Sequence, residues 1–436
     1  MNFAHLAYKI ISTGCAMALI PPVWLQHCLS GASLDRFHQR LGLYPRKLRD
    51  RFHGRPRIWM HAVSVGEVGV AAAIIQTLHH FVPRFGIALS TTTEQGLAQA
   101  QALLPGDCTC FYLPLDLDGP IQLAFNMVRP DVLALLETEI WPNLIVTASR
   151  VGVRTALLNG RISVRSIQRY LKIRPLIRHT LAHIDQFSMA SDDDAQRIRS
   201  LGAPAARVLV NGNAKFDRPE PSRDDRFPTW VRTVFGLNDE TRVWVAGSTR
   251  HPEEQTLLDA FVKVHRAFPQ TVLIIAPRHI QRVAQIEQWV RQRGLQCQRR
   301  TALDGNLRPR TAGVVILDTM GELPATYSVA SFVYCGGSLI PKGGQNLLEA
   351  VQWGKPVMCG PSMEDFIEAY QLLAAAGGVT TVHSCDDICA TAMEWLGHPQ
   401  KALRAGQAGR QAILRHRGAA RKHAAVIARL LDTSVP

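Results

Sequence analysis

Short apolar runs rich in β-branched residues alternate along this chain with stretches of helical period, and the alternation occurs twice. In the first round Ile58–Val63, Gly86–Thr91, Asp131–Leu136 and Ala156–Leu158 read as strands, with Glu67–His80 as a helix. Pro219, Pro221 and Pro228, set among charged residues, mark a linker. Beyond it the pattern restarts with Arg242–Ala246, Thr271–Ala276, Val314–Leu317, Phe332–Cys335 and Pro356–Cys359. Helical stretches such as Glu253–Phe268 and Ile280–Arg293 separate these runs. Such alternation gives parallel sheets with crossover helices, and 436 residues exceed one ordinary core. The expected fold is α/β, with two Rossmann-like domains facing across a cleft. The expected division is an N-terminal membrane-anchor segment over 1–30, a first domain over 31–222 and a second over 223–436.

Charge narrows the partners. Lys and Arg number 49 against 35 Asp and Glu, a formal +14, which favours nucleic acid, a phosphorylated substrate or a membrane surface. From Asp35 to Arg57 there are eight basic residues (Arg36, Arg40, Arg46, Lys47, Arg49, Arg51, Arg55, Arg57) and two acids. Just upstream, Ile10–Ile20 carries no charge and follows Lys9. No small-x-small cleavage site follows, and Pro21-Pro22 interrupts the run. Extended to Leu25, the segment is slightly short for a spanning helix. An uncleaved anchor that dips into or just crosses a bilayer fits it, with the basic cluster on cytoplasmic headgroups. The competing reading is a buried N-terminal helix. Nine cysteines without a C-x-x-C pattern give no disulfide framework and no zinc site. A reducing compartment follows, and no metal site is expected.

Several strand ends carry chemistry. The segment Trp59-Met60-His61-Ala62-Val63-Ser64-Val65-Gly66-Glu67 runs from an apolar strand through a Ser/Gly turn into an apolar-periodic helix. Glu67 therefore sits at a strand-to-helix junction near a positive helix end, on the rim where open α/β sheets bind ligands. An ionised Glu67 can accept a proton from a substrate hydroxyl; equally, it can be an ordinary acidic first-turn residue. Glu137 and Glu139 close another buried strand and share one face if the backbone remains extended. They serve either a reaction or a structural ion pair. Lys215, in Asn213-Ala214-Lys215-Phe216-Asp217, can neutralise charge on a leaving phosphate or be solvated surface. Arg161, Arg165, Arg169 and Lys172 fall at helical spacing, as a phosphate-binding stripe or a solvated face.

In the second half three strand-end loops stand out: Pro277-Arg278-His279, Asp318–Leu323 and the glycine-rich Gly336–Glu349. Glycines let backbone N–H groups approach a phosphate, with a helix opening near Asn346 behind them. Glu349 is placed to hold ribose hydroxyls. The sequence is neither a Walker A loop nor G-x-G-x-x-G after the first strand, so ATPase and simple dehydrogenase readings lose ground.

Taken in order, these segments resemble the Kdo transferases, bacterial glycosyltransferases that attach 3-deoxy-D-manno-octulosonic acid (Kdo) to the lipid A precursor. The matching pieces span nearly the whole chain: Arg40-Leu41-Gly42, His61–Glu67, Leu113–Asp116, Glu137–Asn143, Asn159–Ser163, Gly212–Asp217, Ser248-Thr249, Pro277–His279, Asp318–Leu323, Gly336–Glu349 and Gly360-Pro361. The resemblance implies a GT-B fold, with the acceptor bound by the first domain and the nucleotide of CMP-Kdo by the second. It implies that Glu67 is the general base and that Glu137 and Lys215 stabilise the transition state. It assigns Pro277, Arg278, Met320, Gly321, Glu322, Asn346, Leu347, Leu348 and Glu349 to the CMP loops, and needs neither a cofactor nor a metal. Arg161 and Arg165 are candidate acceptor contacts. Gln345 stands where many members have His, and Leu347 where many have Pro. The Ser90–Gly96 loop lacks the Thr usual before its Gly, and is expected to help choose the acceptor.

The reading is an inverting glycosyltransferase that moves Kdo from CMP-Kdo to lipid IV(A) at the cytoplasmic side of the inner membrane. The partners are those two substrates and the membrane surface, with no nucleic acid; oligomeric state is open. Alternatives are another GT-B enzyme of envelope synthesis, heptosyl or N-acetylglucosaminyl, and a non-catalytic basic membrane or nucleic-acid binding module.

Overall fold

The structure, a computed structural model, describes residues 3–30, 34–52, 54–104, 106–217, 226–304 and 308–432. The chain divides into two compact units, Met1–Arg218 with His416–Pro436, and Pro219–Arg415. In the first unit the strands are β1 (Arg57–His61), β2 (Gly86–Thr91), β3 (Thr109–Tyr112), β4 (Val132–Leu136), β5 (Arg154–Gly160), β6 (Gln186–Met189) and β7 (Val208–Val210). They pair in parallel in the order β3-β2-β1-β4-β5-β6-β7. The second unit holds β8 (Arg242–Thr249), β9 (Thr271–Pro277), β10 (Cys297–Arg299), β11 (Val314–Ile316), β12 (Phe332–Cys335), β13 (Val357–Cys359) and β14 (Val379–Thr381). Its order is β10-β11-β9-β8-β12-β13-β14, again parallel. The helices used below are α1 (Phe3–Ser30), α2 (Asp35–Arg40), α3 (Val65–Leu78), α4 (Val164–Lys172), α5 (Glu253–Ala267), α6 (Leu348–Gln352) and α7 (Ala419–Asp432).

Both faces of each sheet are covered, which is why the central strands read as unbroken apolar runs. Successive side chains still alternate between faces. Ile58 and Met60 join the core beneath α3, while Trp59 between them packs with Phe111 and Phe125 in the opposite core. Every residue of β4 is buried. The winding reverses between β1 and β4 in one sheet and between β8 and β12 in the other. The loops leaving each of these pairs therefore emerge side by side, where parallel sheets bind ligands.

Strands β3, β6, β7, β10 and β14 have no counterpart in the sequence expectations. They are only three or four residues long, and all except β7, which is Val-Leu-Val, carry polar residues, so no sustained apolar run announces them. Pro219 and Pro221 lie outside the described residues, whereas Pro228 occupies the first turn of the helix Arg226–Val234, where its missing N–H costs nothing. Pro21 and Pro22 do not interrupt α1, which continues through both. Nor is α1 a buried helix: its Phe3–Pro22 stretch is long and apolar enough to cross a membrane, and 6% of that window is buried. One side of α1 is nevertheless tied down, with His5 Nε2 2.9 Å from Asn143 Oδ1, the Tyr8 hydroxyl donating to Asp116 Oδ2 at 2.9 Å, and Lys9 2.7 Å from Asp118.

The expected boundary of a second domain running to residue 436 needs correction, because α7 belongs to the first unit. Ala420, Ala424, Ile427 and Leu430 share the core that Val68, Ala71 and Ile75 of α3 enter. Asp217 caps the return: its two carboxylate oxygens accept the N–H groups of Gly418 at 2.5 Å and Ala420 at 2.6 Å. His423, fully buried, lies 2.7 Å from Ser188 Oγ through Nδ1 and 3.1 Å from Gly212 O through Nε2. Burial pushes its pKa down from 6.5 to about 4. Between those values the unfolded chain binds a proton that the folded one refuses, so stability falls as pH drops through this window. The loss from this side chain is of the order of 3 kcal/mol. His423→Gln, which keeps a donor toward Gly212, should flatten the decline in unfolding free energy between pH 6.5 and 4, measured by urea denaturation; an unchanged slope refutes the assignment.

Candidate active site

The turn after β1 is built around one carboxylate. Ser64 caps α3 and accepts the Glu67 N–H through Oγ at 3.4 Å. In return Glu67 Oε1 accepts the Ser64 hydroxyl at 2.9 Å, and Oε2 accepts the Val63 N–H at 2.8 Å. This is a variant of the capping box, in which the carboxylate reaches the Val63 N–H and the Ser64 hydroxyl instead of the Ser64 N–H, so the ordinary helix-start role is real. It is not the whole role. Glu67 is 8% exposed, and burial, with Glu137 next and Glu139 further, raises its pKa from 4.5 to about 7 despite the bonds from Val63 and Ser64. Desolvation thus outweighs the partial charge of the helix terminus. The result is a carboxylate poised near neutrality, the range suited to taking a proton.

Glu137 follows β4 and turns the chain at a left-handed φ of +55°. The strand ends at Leu136, so Glu137 and Glu139 do not share a strand face as expected. A non-glycine residue is held there at a cost in strain, fixed by its N–H donating to Leu158 O at 3.0 Å. Glu137 Oε1 lies 2.6 Å from Lys215 Nζ, with both side chains largely buried. Lys215 is placed by backbone bonds to side chains: Asn159 Oδ1 accepts the Ala214 N–H and Asn213 Oδ1 accepts the Lys215 N–H, each at 2.9 Å. The structural-pair and reactive readings of Glu137 thus describe one geometry. Glu139 Oε2 accepts the Trp141 indole N–H at 2.7 Å.

His61, the last residue of β1, was not among the expected site residues. It is fully buried, with Nδ1 3.0 Å from Ser90 O, while Nε2 faces Glu139 Oε2 at 3.7 Å without a hydrogen bond among the described residues. Its signal in the sequence was a lone polar residue ending an apolar run. Asp116 explains another motif: it accepts the N–H groups of Asn143 at 3.1 Å and Leu144 at 2.9 Å, pinning the Glu137–Asn143 segment. The basic stripe does not form as expected. Arg161 precedes Ser163, the cap of α4, and so is not on that helix, though its N–H lies 3.4 Å from Glu137 O. Arg169 and Lys172 are exposed on α4, and the Arg165 side chain lies outside the described residues.

In the second unit the glycine-rich loop after β12 is packed differently from a phosphate cradle. The Gly337 N–H donates to buried Glu253 Oε1 at 2.5 Å, Gly343 to Ser362 Oγ at 3.0 Å and Gly344 to Gly337 O at 2.9 Å. A Cβ on Gly336 would sit 2.4 Å from Ser248 O, and one on Gly344 would sit 2.4 Å from Met363 Sδ. These glycines let loop lie on loop, and those three N–H groups are already used. A helix does open near Asn346, as expected: α6 starts at Leu348, whose N–H donates to Asn346 Oδ1 at 3.2 Å, but it is only five residues long. Leu347 and Leu348 are buried in the core. Asn346 Nδ2 donates to Glu349 Oε1 at 2.9 Å, which fixes that pair.

The remaining expected residues surround the same strand ends. Pro277 ends β9; Arg278 is exposed, and its N–H donates to Thr249 O at 2.9 Å. Met320 is 75% exposed, Gly321 turns at φ +86°, and Glu322 pairs with Arg300 at 2.8 Å. After β8, Ser248 holds a left-handed φ of +55°, and the buried Thr249 Oγ1 and Arg250 Nε have no hydrogen-bond partner among the described residues. Buried donors without partners at a switch point are what an anionic ligand would satisfy. Among the described residues no three His, Cys, Asp or Glu side chains converge to hold a metal ion.

A family profile described as 3-Deoxy-D-manno-octulosonic-acid transferase (kdotransferase) matches residues 35–218. The chain is 30% identical to the 3-deoxy-D-manno-octulosonic acid transferase of Haemophilus influenzae, covering 87% of this chain and 86% of the relative. It is 31% identical to the transferase of that name from Bordetella pertussis, over 84% of this chain and 85% of the relative. Among solved structures, UDP-GlcNAc 2-epimerase from Neisseria meningitidis superposes with a TM-score of 0.59 at 13% identity, covering 86% of this chain and all of that one; this likeness shows the GT-B fold alone. Fold and relatives agree, and the chain belongs to the 3-deoxy-D-manno-octulosonic acid transferase family.

Proposed function

We propose that this protein transfers Kdo from CMP-Kdo to lipid IV(A) at the cytoplasmic face of the inner membrane, with inversion at the anomeric carbon. The observation that carries the chemistry is the buried Glu67 carboxylate, raised to about 7 beside the Glu137–Lys215 pair. Glu67 takes the proton of the acceptor hydroxyl as its oxygen bonds to the anomeric carbon. The bond from that carbon to the CMP phosphate oxygen breaks, and its electron pair leaves with CMP. Lys215, held by Glu137, stabilises negative charge developing in that step. In the second unit Arg250 and Thr249 supply free donors for the CMP phosphate, with Arg278, whose N–H donates to Thr249 O, next to them and the Asn346–Glu349 pair on the loop after β12. Family membership supports the donor sugar, and the exposed apolar residues of α1 (Phe3, Ile10, Ile11, Met17) support a membrane-side acceptor.

A base must be ionised, so kcat/KM should rise with pH through about 7 and level off above it. Glu67→Gln should lower kcat about 10²–10⁴-fold. The same change should also raise stability above pH 7. A carboxylate whose folded pKa is raised binds its proton more tightly in the folded state between about 4.5 and 7. Its contribution therefore declines as pH rises through that window, by up to about 3 kcal/mol. A purely capping Glu67 predicts the opposite, a lower Tm, and transfer at near wild-type rate by the variant would dismiss it as the base.

Nucleotide choice is checked by thermal shift. CMP should raise Tm more than UDP, ADP or GDP, by the equivalent of about 2.7 kcal/mol at a hundred times its Kd, and Arg250→Gln should abolish most of that rise. Equal shifts with UDP would favour a different nucleotide sugar.

A further inference from the structure

Helix α1 walls a cavity of about 590 Å³ whose other sides are α2 with Leu41 and the Leu115–Leu117 segment. Its lining is mostly carbon, from Ala16, Leu19, Ile20, Phe37, Leu41 and Leu115, and its size falls within the roughly 300–1,000 Å³ of small-molecule sites. Two guanidinium groups, Arg36 and Arg40, face the same space. Arg36 is held by Glu94 at 3.0 Å and Thr92 O at 3.3 Å. Arg40 donates to Leu113 O at 3.3 Å and has no carboxylate partner among the described residues; burial and Arg36 both lower its pKa. The acid in the lining, Asp116, is taken up by Tyr8, Asn143 and Leu144. An apolar slot with two guanidinium groups at one end, of which Arg40 has no carboxylate partner among the described residues, matches an amphiphile with an anionic group on a hydrocarbon tail.

The slot also borders both loops that frame Glu67. Thr91 and Thr93, on either side of the Thr92 carbonyl that Arg36 holds, donate to Val63 O at 3.1 and 3.2 Å, and the Val63 N–H binds Glu67 Oε2. On the other wall Asp116 anchors Asn143, two residues after the indole that binds Glu139. We propose that the slot takes one fatty acyl chain of the anionic lipid acceptor, with Arg36 and Arg40 against its anionic group. The inference rests on the reading that the acceptor is a lipid. A tail leaving a bilayer gains little from a second apolar environment, so the slot orients and sorts acceptors more than it adds affinity.

The test uses the full chain in detergent micelles, with CMP-Kdo and either tetra-acylated lipid IV(A) or its fully deacylated sugar phosphate. Ala16→Trp, which fills the slot, should raise KM for the acylated acceptor about tenfold or more. KM for CMP-Kdo and kcat/KM for the deacylated acceptor should stay within about twofold. A readout independent of turnover is Cys15, an exposed thiol on the slot wall. Acylated acceptor should slow its alkylation by iodoacetamide about tenfold, followed by peptide mass spectrometry, and the deacylated compound should not. Equal loss with both acceptors, no protection of Cys15, or equal protection by phosphatidylcholine micelles overturns the proposal. Wild-type protein that protects Cys15 with lipid IV(A) yet transfers nothing from CMP-Kdo would sink the donor assignment and leave the slot. Active protein without protection would sink the slot alone.

Discussion

A carboxylate buried against its own interest organises the first unit. Glu67 accepts bonds from the Val63 N–H and the Ser64 hydroxyl, which favour its charge, yet burial and two neighbouring glutamates oppose it more strongly. The surroundings serve this balance. Thr91 and Thr93 hold the Val63 carbonyl, and Lys215 draws the Glu137 carboxylate to itself, so one acid is compensated and the other remains poised. Two carboxylates in one site with different partners can divide the work of proton acceptor and electrostatic support.

The position of Lys215 depends on residues far along the chain. The Asn211–Asp217 segment is clamped from one side by Asn159 and from the other by α7, through Gly212, Asp217 and His423. The C-terminal helix thus buttresses the loop that carries the cation, and Phe216 packs 5.9 Å from the His416 ring at the same junction. A buried neutral histidine in that clamp makes the support weaken in acid, the direction in which Glu67 also loses its charge.

The second unit shows how a glycine-rich loop can mislead. Its close backbone contacts with Ser248 and Met363 and its use of Glu253, Ser362 and Gly337 as acceptors make a rigid platform. The groups left for an anion come from the strand beside it, Thr249 and Arg250, whose buried donors lack partners among the described residues. Ser248-Thr249 belongs to the segments that carry the family resemblance, but nothing in the pattern singles out Arg250, since an arginine after a strand is ordinary.

The sequence by itself determined the fold class and the presence of its central strands, because strands buried on both faces are largely apolar and announce themselves: Gly86–Thr91 and Phe332–Cys335 were legible to the residue, whereas β1 ends two residues before the expected Val63 and β8 three residues beyond the expected Ala246. It also determined that Glu67 opens a helix, since Ser64 and Glu67 have capping-box spacing. Tertiary structure alone decided what could not be local. It set the tuning of Glu67, which comes from burial and from acids seventy residues away, and the left-handed turn at Glu137, which depends on β5 alongside. It also sent α7 back to the first sheet. An apolar helix face records that something will cover it, not which core will, and that choice is made only when the whole chain packs.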